Sequence, residues 1–176
     1  MLIKIKDIMR IIKRFVTLTL ALCLSLSLFA QGKSAKAGEQ VPNFSYKTVD
    51  GKRYTLKDFA GKYLYVDMWA TWCGPCVREI PQLKKIEEKM HGKNIEFVSI
   101  SVDKDAAQWQ KFVESNDMTG VQLHNGGDRT LSTFFDVTFI PRFILIGPDG
   151  KVVNPQADRP STGNKLVKYL TALPNM

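Results

Sequence analysis

Short apolar runs alternate along this chain with stretches in which apolar residues recur every three or four positions. The runs are YLYVDMWA (63–70), EFVSISV (96–102) and RFILI (142–146). Runs that are apolar at nearly every position, or rich in β-branched residues, predict strands buried on both faces, so we expect them to be central and largely parallel. Helical repeats lie after each strand at Val77, Ile80, Leu83, Ile86 and Met90, at Trp109, Phe112 and Val113, and at Leu166, Leu170 and Leu173.

Turn signals at both ends of this pattern predict β-hairpins. FSYKTV (44–49) and KRYTL (52–56) flank Asp50 and Gly51, which accept the positive φ of a two-residue turn. Residues 148–150 (PDG) turn the last apolar run into KVV (151–153). Alternating strands and helices with these hairpins predict an α/β fold, with a central mixed sheet of about five strands flanked by helices.

The N-terminal region has the layout of an export signal. Five Lys or Arg residues precede a run without charge from residue 15 to residue 30. That run is 16 residues long, which is shorter than the ~20 residues of a membrane-spanning helix. We therefore expect a signal peptide at 1–32 cleaved after Gly32, a tether at 33–40 and one domain at 41–176. An uncleaved anchor is the alternative, and Cys23 is interpreted as a small apolar residue of the leader.

Half of the net charge of +8 lies in the leader. Residues 1–32 carry five basic residues and one acidic residue, a net +4, so half of the excess remains for residues 33–176. The lysines of the remainder are scattered among acids, as in KKIEEK (84–89). This pattern favours a solvated helix face over a nucleic-acid surface.

Cys73 and Cys76 are the cysteines that remain after cleavage, within WATWCGPCVREIP (69–81). A zinc site needs four ligands, and His91 and His124 share no short spacing with the pair. Covalent haem requires a histidine after the second cysteine, where this chain has Val77. A disulfide that closes such a small loop stabilises a fold little. We therefore predict a redox-active pair, with no metal and no cofactor.

The position of the pair indicates the role of each cysteine. Cys73 follows a buried strand and begins a helix, where unpaired N–H groups and the helix dipole favour the thiolate, so it is the expected nucleophile. Cys76 is placed to attack the mixed disulfide that Cys73 forms. Pro75 is tolerated at a helix start because the N–H that it lacks would be unpaired there.

Asp67 is an acidic residue inside the first buried strand. A buried carboxylate is costly unless it is paired or protonated. Either Asp67 has a local partner, or its pKa is raised and it exchanges a proton with Cys76 through a water molecule.

VDMWATWCGPC (66–76) followed by Pro81 resembles thioredoxin. Residues 41–173 as a whole are similar to exported thioredoxin-like proteins of the TlpA and ResA type. This resemblance implies a thioredoxin-like fold with an added N-terminal β-hairpin and a central strand-helix insertion, for which residues 116–136 are the candidate.

The resemblance also implies a substrate-binding surface around the pair. It implies a cis peptide bond at Ile140–Pro141, whose backbone would form a short edge for substrate; a trans proline opening an edge strand is the alternative. Trp72, Gly74 and Pro75 are further candidates. Arg142 stands where family members often have a small or hydroxyl residue, and it either selects substrates or faces solvent.

The function that the resemblance implies is reduction of protein disulfides outside the cytoplasm. The Gly-Pro dipeptide is that of reducing thioredoxins, and without a neighbouring cation the Cys73 thiolate is stabilised less, so the disulfide is expected to be less oxidising. Expected partners are disulfide-containing client proteins, including apocytochromes, and a membrane thiol-disulfide electron donor, with membrane contact only through an uncleaved leader. A thiol peroxidase of the peroxiredoxin kind and a non-catalytic binding module are the alternatives.

Overall fold

The computed structural model describes residues 34–176. Within this range the strands are β1 (Ser45–Lys47), β2 (Arg53–Thr55), β3 (Tyr63–Trp69), β4 (Ile95–Ser101), β5 (Val121–His124), β6 (Arg142–Ile146) and β7 (Val152–Asn154). The α-helices are α1 (Gly74–Lys89), α2 (Ala106–Ser115), α3 (Thr130–Phe134) and α4 (Asn164–Thr171). Short 3-10 helices span Leu56–Phe59 and Pro160–Thr162. The signal peptide expected at 1–32, with Cys23, lies outside the described residues.

The strands form one mixed sheet in the order β2-β1-β5-β4-β3-β6-β7. Strands β3, β4 and β5 are parallel, and β6 is antiparallel to β3. The predicted core of about five strands is thus present, and the N-terminal hairpin extends it through the single register pair Lys47–His124. The expectation of largely parallel central strands holds for β3, β4 and β5, and β6, formed by RFILI, is the antiparallel member of the mixed sheet. An apolar run reports burial on both faces and carries no information on strand direction.

Two apolar layers enclose the sheet. On one face, Tyr65 and Phe97 pack in a cluster with residues of α1 and α4, such as Leu83 and Leu170. On the other face, side chains such as Val66 pack with the N-terminal hairpin and α3. A third buried cluster contains the cysteine pair and lies where the C-terminal end of β3 meets the start of α1.

The segment expected as a tether at 33–40 packs on the domain over the part that is described. Ala35 is buried in the core, the Gly38 N–H donates to the Val152 carbonyl at 2.8 Å, and Gln40 forms a bridge with Lys151. The packed domain therefore begins before Val41. The small, polar residues of the segment 33–40 did not predict this packing, because backbone pairing at the exposed edge of β7 needs no apolar side chains.

Residues 116–136 hold β5 and α3, so the predicted strand-helix insertion is present. Strand β5 pairs with β4 and with β1, and Phe135, after α3, is fully buried. The insertion is thus part of the sheet and of the core. No helix within residues 34–176 is long and apolar enough to span a membrane.

Candidate active site

Cys73 and Cys76 form a disulfide at the junction between β3 and α1, with Cα atoms 5.2 Å apart. Cys73 is the N-cap residue of α1, and its Sγ accepts the Cys76 N–H at 3.2 Å. The accessible fractions are 6% for Cys73 and 2% for Cys76. Cys73 therefore has the helix-terminal position that favours a thiolate, and it is the more accessible of the two residues.

The loop before β6 lies against the cysteine pair. The Ile140–Pro141 peptide bond is cis, the isomer that the resemblance implies. The Ile140 carbonyl oxygen is 3.7 Å from Cys73 Sγ. A backbone segment that pairs with the Ile140 edge would therefore meet the reactive sulfur directly.

Exposed apolar side chains surround the disulfide on its open side. Trp72 is 67% exposed and Phe139 is 82% exposed, whereas Trp69 is buried. Gly74 and Pro75 are also exposed. An exposed aromatic pair beside a reactive sulfur is a surface suited to a protein substrate.

Arg142 is half-buried at the start of β6. Its guanidinium Nη1 lies 3.5 Å from the Pro155 carbonyl oxygen. The side chain therefore has a neighbour in the loop after β7, beside the strand end.

Asp67 is buried on β3, and its Oδ1 has no hydrogen-bond partner within residues 34–176. Burial, with smaller contributions from the carboxylates of Glu79 and Glu87, raises the pKa of Asp67 to about 8. The alternative of a local hydrogen-bonding partner is wrong for this residue. Asp67 is a carboxyl group that holds its proton near neutral pH.

Glu79 is a second buried acid near the pair, and the sequence pattern did not reveal it. Its carboxylate accepts hydrogen bonds from the Ser161 N–H and hydroxyl, both at 2.9 Å. Its position three residues after Cys76, on the buried face of the helix, could have indicated a buried acid. Its hydrogen-bond partner could not be predicted, because Ser161 is 82 residues away in the chain. Glu79 connects α1 with the 3-10 turn at Pro160–Thr162 and adds negative charge near Asp67.

Asp103 anchors the loop that precedes Cys73. Its buried carboxylate accepts the Thr71 N–H at 3.0 Å, the Thr71 hydroxyl at 2.7 Å and the Ser101 hydroxyl at 2.7 Å. Asp105 is the N-cap of α2, through the Ala107 and Gln108 N–H groups, which leaves Asp103 to connect β4 with the active-site loop.

Arg78 is a cation near the cysteine pair that lies outside the Gly-Pro dipeptide. A Cβ atom added at Gly74 would lie 3.7 Å from the Arg78 Nη1 atom. Helical geometry explains this contact, because residues four positions apart share a helix face. The sequence argument that Cys73 has no neighbouring cation therefore overlooked Arg78, one helical turn along α1.

The chain resembles known proteins over most of this domain. The Redoxin family profile matches residues 36–173. The thiol-disulfide oxidoreductase ResA of Bacillus cereus (strain ATCC 10987 / NRS 248) is 30% identical over 143 residues, which are 81% of each chain.

Solved structures agree with these sequence matches. A solution structure of a Bacteroides vulgatus protein, described as a thiol-disulfide oxidoreductase, is 43% identical with a TM-score of 0.67, over 80% of this chain and 92% of that one. A crystal structure from the same organism, with the same description, is 35% identical with a TM-score of 0.70, over 76% and 96% of the two chains. The chain therefore belongs to the Redoxin family of the thioredoxin superfamily, among the thiol-disulfide oxidoreductases of the ResA type.

Proposed function

We propose that this protein reduces disulfides of exported client proteins outside the cytoplasm. The observation that carries the proposal is the position of Cys73, whose sulfur caps α1 and lies 3.7 Å from the Ile140 carbonyl oxygen. A helix terminus activates the sulfur as a nucleophile, and the neighbouring backbone edge offers hydrogen bonds to an extended substrate segment.

The reaction moves two electrons from the cysteine pair to the client. The Cys73 thiolate attacks one sulfur of the client disulfide, forms a mixed disulfide and releases the other client sulfur as a thiolate, which takes a proton from solvent. Cys76 then loses its proton and attacks the Cys73 sulfur. The Cys73–Cys76 disulfide forms, and the second client sulfur leaves as a thiolate and is protonated.

Asp67 serves the second of these steps. Its carboxyl group, with a pKa of about 8, is matched to accept and return a proton near neutral pH. We propose that Asp67 accepts the proton of Cys76 through a bridging water molecule. Trp72, Gly74, Pro75, Ile140 and Pro141 contact the client around Cys73, and Arg142 contributes to client selection.

The compartment and the partners follow from the leader pattern. A leader at 1–32, cleaved near Gly32 or retained as an anchor, would deliver the domain across the membrane. A reductase there needs electrons from a membrane thiol-disulfide donor, because the compartment favours disulfides. Apocytochromes with oxidised haem-attachment cysteines are among the proposed clients.

Insulin reduction by dithiothreitol tests the catalytic proposal. We expect the protein to accelerate the reaction, Cys73→Ser to abolish the acceleration, and Cys76→Ser to accumulate a mixed disulfide visible by mass spectrometry. No acceleration by the unmodified protein would favour a non-catalytic binding module, and hydrogen peroxide consumption would favour a peroxidase.

A redox titration tests the direction of electron flow. A reductase of the thioredoxin kind has a midpoint reduction potential of about −270 mV, whereas that of protein disulfide isomerase is about −180 mV. A midpoint above about −180 mV would contradict the reductase proposal.

A further inference from the structure

A groove of about 470 Å³ opens beside the disulfide, between the loop after β4 and the strand-helix insertion. We call it the insertion groove. Its apolar lining includes Met68, Trp72, Val102, Val137, Phe139 and Ile140. Trp72 precedes Cys73 in the chain, and the Ile140 carbonyl oxygen lies 3.7 Å from Cys73 Sγ, so the groove adjoins the cysteine pair.

Two cations line the same groove. Lys104 and Arg129 are exposed, and neither side chain has an ion pair or hydrogen bond among residues 34–176. Cations that have no internal partner and face a concave apolar surface favour a ligand that carries negative charge.

The acids near these cations are engaged elsewhere. The Asp103 carboxylate is buried and accepts hydrogen bonds from Thr71 and Ser101. Asp105 caps α2, and the Asp128 carboxylate accepts the Thr130 N–H and hydroxyl. Their charges weaken the local positive potential without forming an ion pair with Lys104 or Arg129.

The positive character continues beyond the insertion groove. A second depression of about 520 Å³ shares Lys104, Asn125 and Gly126 with it, and adds Lys47 and Arg53. Lys47 and Arg53 are register partners on β1 and β2. A basic path therefore leads from the N-terminal hairpin towards Cys73.

We infer that the insertion groove binds the client segment next to the target disulfide, in an extended form with apolar and acidic side chains. This inference rests on the proposed reductase function. The apolar lining would hold the apolar side chains, and Lys104 and Arg129 would pair with the acidic ones. A polypeptide fits the site better than a membrane surface, because the groove is concave and adjoins the cysteine pair.

A matched pair of disulfide peptides tests the charge preference. The peptides share one sequence, except that residues beside the target cysteine are two Glu in one and two Lys in the other. The single-turnover rate of the reduced protein is measured with each peptide. The ratio of the rate for the acidic peptide to the rate for the basic peptide is independent of general changes in cysteine reactivity. We expect the acidic peptide to react roughly threefold to tenfold faster, since two exposed charge pairs contribute little more than that.

Charge reversal identifies the residues responsible. In the double variant Lys104→Glu/Arg129→Glu, the preference should invert towards the basic peptide. The control is the double variant Lys85→Glu/Lys168→Glu, which changes the charge of exposed cations of α1 and α4 by the same amount. In this variant the preference for the acidic peptide should persist. The preference of the unmodified protein should also shrink with added salt, because salt screens exposed charges.

Several outcomes separate this inference from the proposed function. If neither peptide nor insulin is reduced, the reductase proposal fails and the inference fails with it. If both peptides react at equal rates, or both double variants behave alike, the groove inference alone is overturned. It is also overturned if Lys104→Glu/Arg129→Glu abolishes binding to phosphatidylglycerol-containing vesicles and leaves the peptide ratio unchanged, since the cations would then serve a membrane.

Discussion

Asp67 and Arg78 are an acidic and a basic side chain that should control different halves of the catalytic cycle. Asp67 is buried, and its pKa is raised to about 8 chiefly by burial, so it can exchange a proton at neutral pH. Arg78 is exposed beside Gly74, where a positive charge stabilises the Cys73 thiolate. In the proposed cycle, Asp67 would act on resolution by Cys76 and Arg78 on attack by Cys73.

Replacement of Asp67 with Asn should slow release of the mixed disulfide, because the amide cannot accept the Cys76 proton. We expect a loss of at least about tenfold in the rate of this step. Rapid-quench mass spectrometry over about pH 6 to 9 would measure it. Unchanged rates over that range would remove the proposed role, and far-UV circular dichroism would verify that the fold is intact.

Replacement of Arg78 with Gln should weaken the Cys73 thiolate. Iodoacetamide should then alkylate reduced Cys73 more slowly below neutral pH, and the midpoint potential should become more negative by about 10–20 mV. Lys85→Gln is the matched control, because Lys85 is an exposed cation two turns further along α1. Equal effects of the two variants would show that the cation acts only through net charge.

The elements around the disulfide are connected by buried acids rather than by apolar contacts alone. Asp103 at the end of β4 binds the loop between β3 and α1 through Thr71. Glu79 of α1 binds Ser161 in the 3-10 turn before α4. These contacts hold the start of α1 between two neighbouring elements, and Trp72 and Cys73 follow directly from the anchored Thr71.

Asp103→Asn should destabilise the protein, because an amide N–H₂ group would face the Thr71 and Ser101 donors. We expect the free energy of unfolding to fall by about 1–3 kcal/mol. Asp105→Asn is the control: asparagine caps helices as well as aspartate does, so its effect should stay within about 0.5 kcal/mol. Guanidinium unfolding would measure both, and similar losses would contradict the anchoring role.

The stability of the whole domain should depend on pH through Asp67. The pKa of this carboxyl is about 8 in the folded protein and about 3.9 in an unfolded chain. Its stabilising contribution is therefore complete below about pH 4 and is lost as the pH rises towards 8. Above that pH the fold must contain a buried charge.

Asp67→Asn removes this dependence, since asparagine resembles the protonated acid and never ionises. The variant should gain stability relative to the unmodified protein between about pH 5 and 9, by an amount on the order of a few kcal/mol at most. Guanidinium unfolding of both oxidised proteins at several pH values would measure the difference. Parallel pH profiles would show that Asp67 titrates normally.

Local pattern was enough to predict the elements and the reactive pair. The continuous run of β3, the helical repeat of α1 and the two cysteines between them are close in sequence, so spacing alone places Cys73 at a helix start. The thioredoxin resemblance added the insertion and the cis bond at Ile140. Boundaries were less certain where pairing used only backbone, as between Gly38 and Val152.

The sequence by itself determined which segments are buried, where α1 begins and which sulfur caps it, because these properties depend on neighbours within a few residues. Only the tertiary structure decided the direction of β6, the partners of Glu79 and Asp103, and the placement of Lys104 and Arg129 on one groove. Such features join residues far apart in the chain. They depend on how the sheet orders its strands, which hydrophobic periodicity does not encode.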